Sequence, residues 1–520
     1  MTDHMKALKD KTYRRPRIAF NWDGDDAVRW AEWPLTREKF VKIVLEQYEG
    51  THIDTMLWSP GDGMSLFNHP TRYGLVWGQH AEQFCAPVWI GADNGRRLRE
   101  HGDEMTILSE ESSRLGFLFY LSIRMNDTHD HVYPSFWSSV KERHPEWLVG
   151  THDPNATDTE SLETHTAVNY ALDEVREYRM NIIREMVERY RIDGLQLDFA
   201  TFPPFFRPGE EQQHIPVMND FMRGIRALLD RIAAERGTYI ALNVVVMDEL
   251  ENNPLLGLDV ETWARESIVD EIVGGRSYVR FYPLDNLIAL GKQTGVGVYG
   301  ASNHEQPLAC DRAWAMTHWE SGVDGLVLYN YYYNHEAVRR TGRFLLYDYN
   351  TEPLNPFYCE IASRQKLQYL DKTYKAVPGP EDLPVWLSPV YAGVQVPRVI
   401  RLNEPVTIQV VCFDDLPAIV SSGRRAGAQM RLHMNFPTPE DTFQVAVNGH
   451  PVPSYSFIRY GNNFRGIEWD QDPAHIIRGR NLIDVELTSR PPHVFGGSFS
   501  VGRDEADLKI TDAEIELTYG

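Results

Sequence analysis

The chain has 520 residues, a net charge of −22 and a pI near 5.3, with 12% aromatic residues. The length suits two or three domains. The acid excess excludes a phosphate-neutralising nucleic-acid binder and weighs against anionic membranes and polyanionic substrates, save where a local basic pocket overrides it. No run of about 18 apolar residues occurs, so no membrane-spanning helix is expected.

Residues 1 to 16 are charged and are expected to fray. They contain no signal-peptide core, which gives a cytoplasmic expectation; a trimmed leader would leave the same sequence. A first strand, Arg17–Asn21, runs into Trp22–Asp26 (WDGDD). Leu35–Tyr48 has helical spacing at Phe40, Ile43, Val44 and Tyr48. A second strand, Ile53–Trp58, ends in SPGDG, and residues 64–100 read as a long aromatic loop over the strand ends. A helix over Met105–Leu115 leads to the strand Gly116–Arg124, which ends in MNDTHD. The helix Asn169–Tyr190 feeds the strand Leu195–Phe199. Four more strands follow at Tyr239–Val246, Ile268–Val273, Gly297–Tyr299 and Gly325–Tyr329. They alternate with helices at Pro216–Arg236, Val260–Glu266, Pro283–Thr294 and Ala313–Ser321.

Eight strands alternating with helices predict a parallel sheet, and over about 350 residues a (β/α)8 TIM barrel spanning residues 1–375. A doubly wound open sheet is the runner-up, because no glycine-rich phosphate turn follows the first strand. From KAVPGPEDLPVW onward the pattern changes to short alternating runs such as VTIQVVCF and TFQVAVNG. This predicts a C-terminal β-sandwich domain over residues 376–520. It could bind carbohydrate, bridge subunits or buttress the barrel, and buttressing is the bland expectation. The four cysteines, Cys85, Cys310, Cys359 and Cys412, have neither paired nor metal-ligand spacing.

In such a barrel, chemistry sits on the loops that follow the strands. Side chains alternate along a strand, so Gln196 and Asp198 share one face, opposite Leu195, Leu197 and Phe199. A carboxylate at the end of a buried strand is costly without water, a partner or a substrate. The other strand ends supply Asp23, Asp25 and Asp26; Asp62; Arg124, Asn126, Asp127, His129 and Asp130; Asn243 and Asp248; Arg276; Asn303, His304 and Glu305; and Asn330. Acids and amides of this kind suit hydroxyl-rich ligands, and flat Trp and Tyr rings suit sugar faces. Two carboxylates can divide glycoside cleavage between proton donation and attack. The bland readings are turn chemistry for WDGDD and PGDG, a structural pairing of Asp127 and Asp130 with Arg124, and rim packing for the tyrosines.

The stretch Tyr190–Pro204 (YRIDGLQLDFATFPP) resembles the fourth-strand signature of bacterial glycosyl-hydrolase-like proteins of the family-10-like (β/α)8 barrel group. The resemblance extends through HPEWL (144–148), NYALDEVREY (169–178), GLDVETWARESIVDEIV (257–273) and GVDGLVLYN (322–330). It covers residues 17–350 and implies a barrel and glycoside hydrolysis. Asp198 matches the position of a nucleophilic aspartate in sugar-cleaving barrels. Gln196 departs from relatives that carry an acid or His there. Ala200 stands where chitinase-type barrels carry their acid, which argues against that mechanism.

The expectation is therefore a glycoside hydrolase acting on an oligosaccharide or glycoside, with no cofactor and no metal. Asp198 is the expected nucleophile or base, with Asp127 and Glu305 as catalytic candidates beside it. Trp22, Trp58, Asp62, Arg124, Asn126, His129, Gln196, Asn243, Tyr299, His304, Tyr331 and Tyr332 are the expected substrate-binding residues. The expected partner is carbohydrate, without nucleic acid or membrane, and a homo-oligomer is compatible with the sequence. Two alternatives stand beside this reading: a non-catalytic sugar-binding protein on a degenerate barrel, and a metal-dependent lyase or isomerase built on MNDTHD.

Overall fold

The computed structural model describes residues 2–61, 66–77, 86–128, 130, 139–150, 166–274, 281, 283–303, 307–329, 331, 356–379, 393–435, 437–461, 463–490 and 508–520. Eight parallel strands close into a barrel in chain order: Ile18–Asp23, Thr55–Ser59, Leu118–Arg124, Gly194–Asp198, Ala241–Val246, Glu271–Gly274, Gly297–Asn303 and Gly325–Tyr329. Closure is made by the first strand, where Ala19 lies opposite both Thr55 and Val327.

The strands are buried on both faces, and the two faces differ in chemistry. Leu195, Leu197 and Phe199 point to the helical layer and are fully buried there, each contributing about 1.5–3 kcal/mol. The opposite parity fills the barrel interior with Ala19, Leu57, Tyr120, Val245, Tyr299, Val327 and Tyr329. Among them run the polar side chains Ser122, Gln196, Asn243 and Glu271.

The lower end of the barrel repeats one device four times. An aspartate just before each even-numbered strand accepts a backbone N–H from the strand before it. Asp54 accepts from Arg17 at 2.9 Å, Asp193 from Phe119 at 2.9 Å, Asp270 from Leu242 at 2.8 Å and Asp324 from Val298 at 2.9 Å. The apolar-Asp doublets IleAsp, IleAsp, ValAsp and ValAsp ahead of these strands carry the pattern in the sequence. Charge-assisted bonds of this type are the stronger kind. Gly194 follows Asp193 for a steric reason: a Cβ there would lie 2.4 Å from the Tyr120 ring, which fills the interior at that level.

The N-terminal segment does not fray. Asp3–Thr12 is a helix capped by Thr2 and docked under the barrel. Lys9 pairs with Asp270, and the Tyr13 hydroxyl donates to Glu271 at 2.7 Å. Its polar composition conceals this role, because only Met5 is buried in the core and the polar partners lie far away in sequence. Two other differences concern elements. The segment read as a long loop contains the helix Ala86–Arg99, masked in the sequence by Pro87, Gly91 and Gly95. The seventh strand runs on to Asn303 through Gly300-Ala301-Ser302, which looks like a turn. Gly300 is required there, since a Cβ would meet the His318 ring at 2.7 Å.

The C-terminal part forms two antiparallel sheets. One contains Lys372–Lys375, Lys509–Tyr519, Ala426–Asn435, Asn463–Gln471 and Ser456–Tyr460 in that order, with Arg398–Val399 beside Lys509–Tyr519. The other orders Val406–Cys412, Gly479–Ser489, Thr442–Val447 and His450–Pro451. Alternation holds: Ala428, Met430, Leu432 and Met434 are buried, and the residues between them are partly exposed. At the junction the buried Lys372 donates to the carbonyls of Leu367 and Leu370 and lies 3.3 Å from Asp414. Among the described residues no helix is long and apolar enough to cross a membrane.

Candidate active site

Four charged residues gather at the C-terminal ends of the first, third and fourth strands. Arg124 is the last residue of the third strand and stands opposite Asp198, the last of the fourth. Its guanidinium donates to Asp127 at 2.9 Å and to Asp23 at 2.5 Å. The nearby charges of Asp23, Asp127 and Asp198 hold Arg124 firmly protonated against the opposing effect of burial. Lys141 supports the same loop: it donates to the Asp127 carbonyl and to the Asp130 carboxylate, each at 2.7 Å.

Asp198 is 2% exposed. One carboxylate oxygen accepts the N–H groups of Ala200 and Thr201, each at 3.0 Å, and the other accepts the Thr201 hydroxyl. These bonds fix the plane of the carboxylate at the strand end. Asp248 follows the fifth strand, next to the one that ends in Asp198. It is 8% exposed, and burial together with the charge of Glu249 raises its carboxyl to about 7. The end of the fourth strand thus carries Asp198 beside a guanidinium, and the segment after the next strand carries Asp248, whose carboxyl is raised to about 7.

Gln196 lies one inward position below Asp198 and is fully buried. It accepts from Ser122 at 2.7 Å and donates to Asn243 at 2.9 Å; Asn243 in turn donates to Glu271 at 2.8 Å. Glu271 also accepts from Tyr120 at 2.9 Å and from Tyr13. Every described bond in this chain points its donor toward Glu271, so one carboxyl sets the orientation of two amides. Burial raises the Glu271 carboxyl to about 7, opposed by these donors.

The structure brings Asp198, Asp127 and Arg124 together and sets Gln196 and Asn243 beneath them. Asn126 is spent on backbone, donating to Val168 and Pro204 and accepting from Val168 N–H. The aromatic residues chosen to line the pocket stand elsewhere. Trp22 and Trp58 have the outward parity and are buried in the helical layer. Tyr331 is buried there too, donating to Ser302 or Asp311 and stacked on Phe357. Tyr299 points inward but near the bottom, where its hydroxyl donates to the Pro16 carbonyl. Asp62, His129, His304, Glu305 and Tyr332 lie outside the described residues. Asp23 and Asp248 were not among the chosen site residues. Strand parity signals the first, since Asn21 and Asp23 alternate with Trp22; only its place after the fifth strand signals the second.

Among the described residues no group of three His, Cys, Asp or Glu side chains is arranged to hold a metal. On MNDTHD, Asp127 and Asp130 are engaged by Arg124 and Lys141.

The fold and site define a (β/α)8 barrel with charged strand ends and a C-terminal β-sandwich. No protein-family model matches the chain, and no curated protein matches it. Solved structures similar to it include a noncanonic maltogenic α-amylase from Thermotoga neapolitana, at 14% identity, 91% of this chain, 99% of the other and a TM-score of 0.37. An α-amylase from Geobacillus thermoleovorans is similar at 10% identity, 91% and 99% coverage and a TM-score of 0.38. A GH36 α-galactosidase from Geobacillus stearothermophilus is similar at 10% identity and a TM-score of 0.36; the match covers 99% of this chain and 56% of the galactosidase.

Proposed function

We propose that this protein hydrolyses a glycosidic bond of an oligosaccharide or glycoside at the C-terminal face of its barrel. What supports this reading is Asp198, beside Arg124 at the end of the fourth strand, together with Asp248 in the segment just after the fifth, a buried carboxyl raised to about 7. Glycoside cleavage uses two carboxyls, one to donate a proton and one to attack or activate water. Asp198, fixed by Ala200 and Thr201, is the nucleophile or the base that activates water. Asp248 protonates the leaving oxygen. Arg124 holds Asp23 and Asp127 in place and balances the negative charge around the reacting centre. Asp127 and Glu305 remain rival donors of the proton.

The test is a screen of aryl glycosides and oligosaccharides, repeated with Asp198→Asn. Turnover by the wild type that falls at least a hundredfold in the variant supports the reading. Wild-type turnover in Asp198→Asn overturns the role of Asp198. Calorimetric binding of a sugar without product from any substrate favours a binding protein instead.

A further inference from the structure

The outer face of the sandwich carries a basic groove in a chain of net charge −22. It has a volume of about 430 Å³ and runs along the strands Ser456–Tyr460 and Asn463–Gln471. Its shape follows from the sheet. Ile458, Gly466 and His433 stand in one cross-strand row, and the middle position has no side chain. No side chain can stand there: Gly466 has φ +146°, and a Cβ on it would lie 2.0 Å from the Leu432 carbonyl oxygen. The pairing register also shifts between Ile458 and Arg459, leaving Arg465 as the extra residue of a bulge. Bulges re-aim side chains, and here Arg459 and Arg465 both line the groove.

His433, at one edge of the groove, lies 3.5 Å from Glu514, but the two arginines differ from the charges of the neighbouring strands. Arg431, nearby on the same sheet, is bound by Glu468 and Glu516. Among the described residues Arg459 and Arg465 meet no carboxylate, and Arg459 lies over the Phe464 ring at 5.0 Å. Tyr460 is 78% exposed at the end of the groove, a large aromatic surface left in water. Asn435 and Thr511 add an amide and a hydroxyl.

We propose that this groove binds an acidic sugar, one or two pyranose units bearing a carboxylate. A guanidinium fork matches a planar carboxylate. The Tyr460 ring offers a flat apolar surface to the C–H face of a pyranose, and Asn435 and Thr511 can bond hydroxyls. The volume suits a small ligand. The site uses none of the residues assigned to the barrel, so it stands or falls separately from the hydrolase reading.

The experiment is calorimetric titration of the full chain with trigalacturonate, with maltotriose and inorganic sulfate as comparisons. Saturable binding of trigalacturonate is expected, with affinity at least tenfold lower in Arg459→Gln/Arg465→Gln and in Tyr460→Ala. Both variants alter exposed positions and should keep the wild-type unfolding midpoint; Asp198→Asn should keep wild-type binding. The proposal is overturned if the wild type does not bind trigalacturonate, if the groove variants bind it as tightly, or if maltotriose or sulfate binds equally well.

Discussion

Arg124 and Asp198 face each other as the last residues of adjacent parallel strands, and the guanidinium of Arg124 also holds Asp23 and Asp127. One cation thus serves three carboxylates, of which Asp127 and Asp198 are buried and Asp23 is partly exposed. Removing it leaves buried negative charge without compensation. Arg124→Met is expected to lose roughly 3 kcal/mol of stability; Arg124→Lys should lose less, because it keeps the positive charge, but not nothing, because an ammonium cannot reproduce the fork. Urea unfolding of the three proteins checks this. Equal midpoints would show that Arg124 does not hold the site.

The Asp248 carboxyl, raised to about 7, gives the hydrolase reading a pH signature. A general acid works only while protonated, so kcat/KM should fall as pH rises through about 7. In Asp248→Asn that alkaline limb should vanish along with most activity. A substrate whose leaving group needs no proton, such as a dinitrophenyl glycoside, should recover much of the lost rate. An unchanged alkaline limb in the variant would pass the role to Asp127 or Glu305.

Glu271 predicts a stability effect of definite sign. Its folded value, about 7, lies above the ordinary 4.5, so the folded protein holds this proton more tightly than the unfolded chain. The contribution is complete below about 4.5 and is lost as pH rises through about 7. Glu271→Gln should therefore gain on the wild type between pH 5 and 8, by up to about 3 kcal/mol. The amide can be accommodated: its N–H groups can face the Tyr13 and Tyr120 hydroxyls, which can accept, and its oxygen can face Asn243. Thermal unfolding at the two pH values measures the difference, and a wild type that gains stability on the same rise would refute it.

Gln196→Glu tests whether the glutamine stands in for a lost acid. A carboxylate there would face the Asn243 oxygen, which now accepts the Gln196 amide at 2.9 Å. Asn243 cannot flip without withdrawing its N–H from Glu271. The variant should lose about 2–3 kcal/mol and gain no activity. A rise in turnover would show that the position once supplied chemistry.

The alternation of strands and helices makes the barrel legible in the sequence, and the parity of residues 195–199 turns Gln196 and Asp198 inward. Ring chemistry alone points to Trp22 and Trp58 as a sugar platform, but the alternation that turns Asp23 inward turns Trp22 outward. Tyr299 shows a second limit: its face is inward, but only the starting point of the seventh strand reveals that it lies near the bottom. The amide chain ending at Glu271 joins residues from four strands and the N-terminal segment, and no local spacing encodes it.

The four aspartates under the barrel also bear on the order in which it assembles. Their clamps close over 37, 74, 28 and 26 residues, each within one strand–helix–strand unit. The Tyr13–Glu271 contact spans 258 residues. Loop-closure entropy favours short spans, so the expected order has the four clamps closing first and the N-terminal helix, which needs the sixth strand in place, docking later. The helix Asp3–Thr12 and Tyr13 thus act as a latch, tying the segment ahead of the first strand to the start of the sixth.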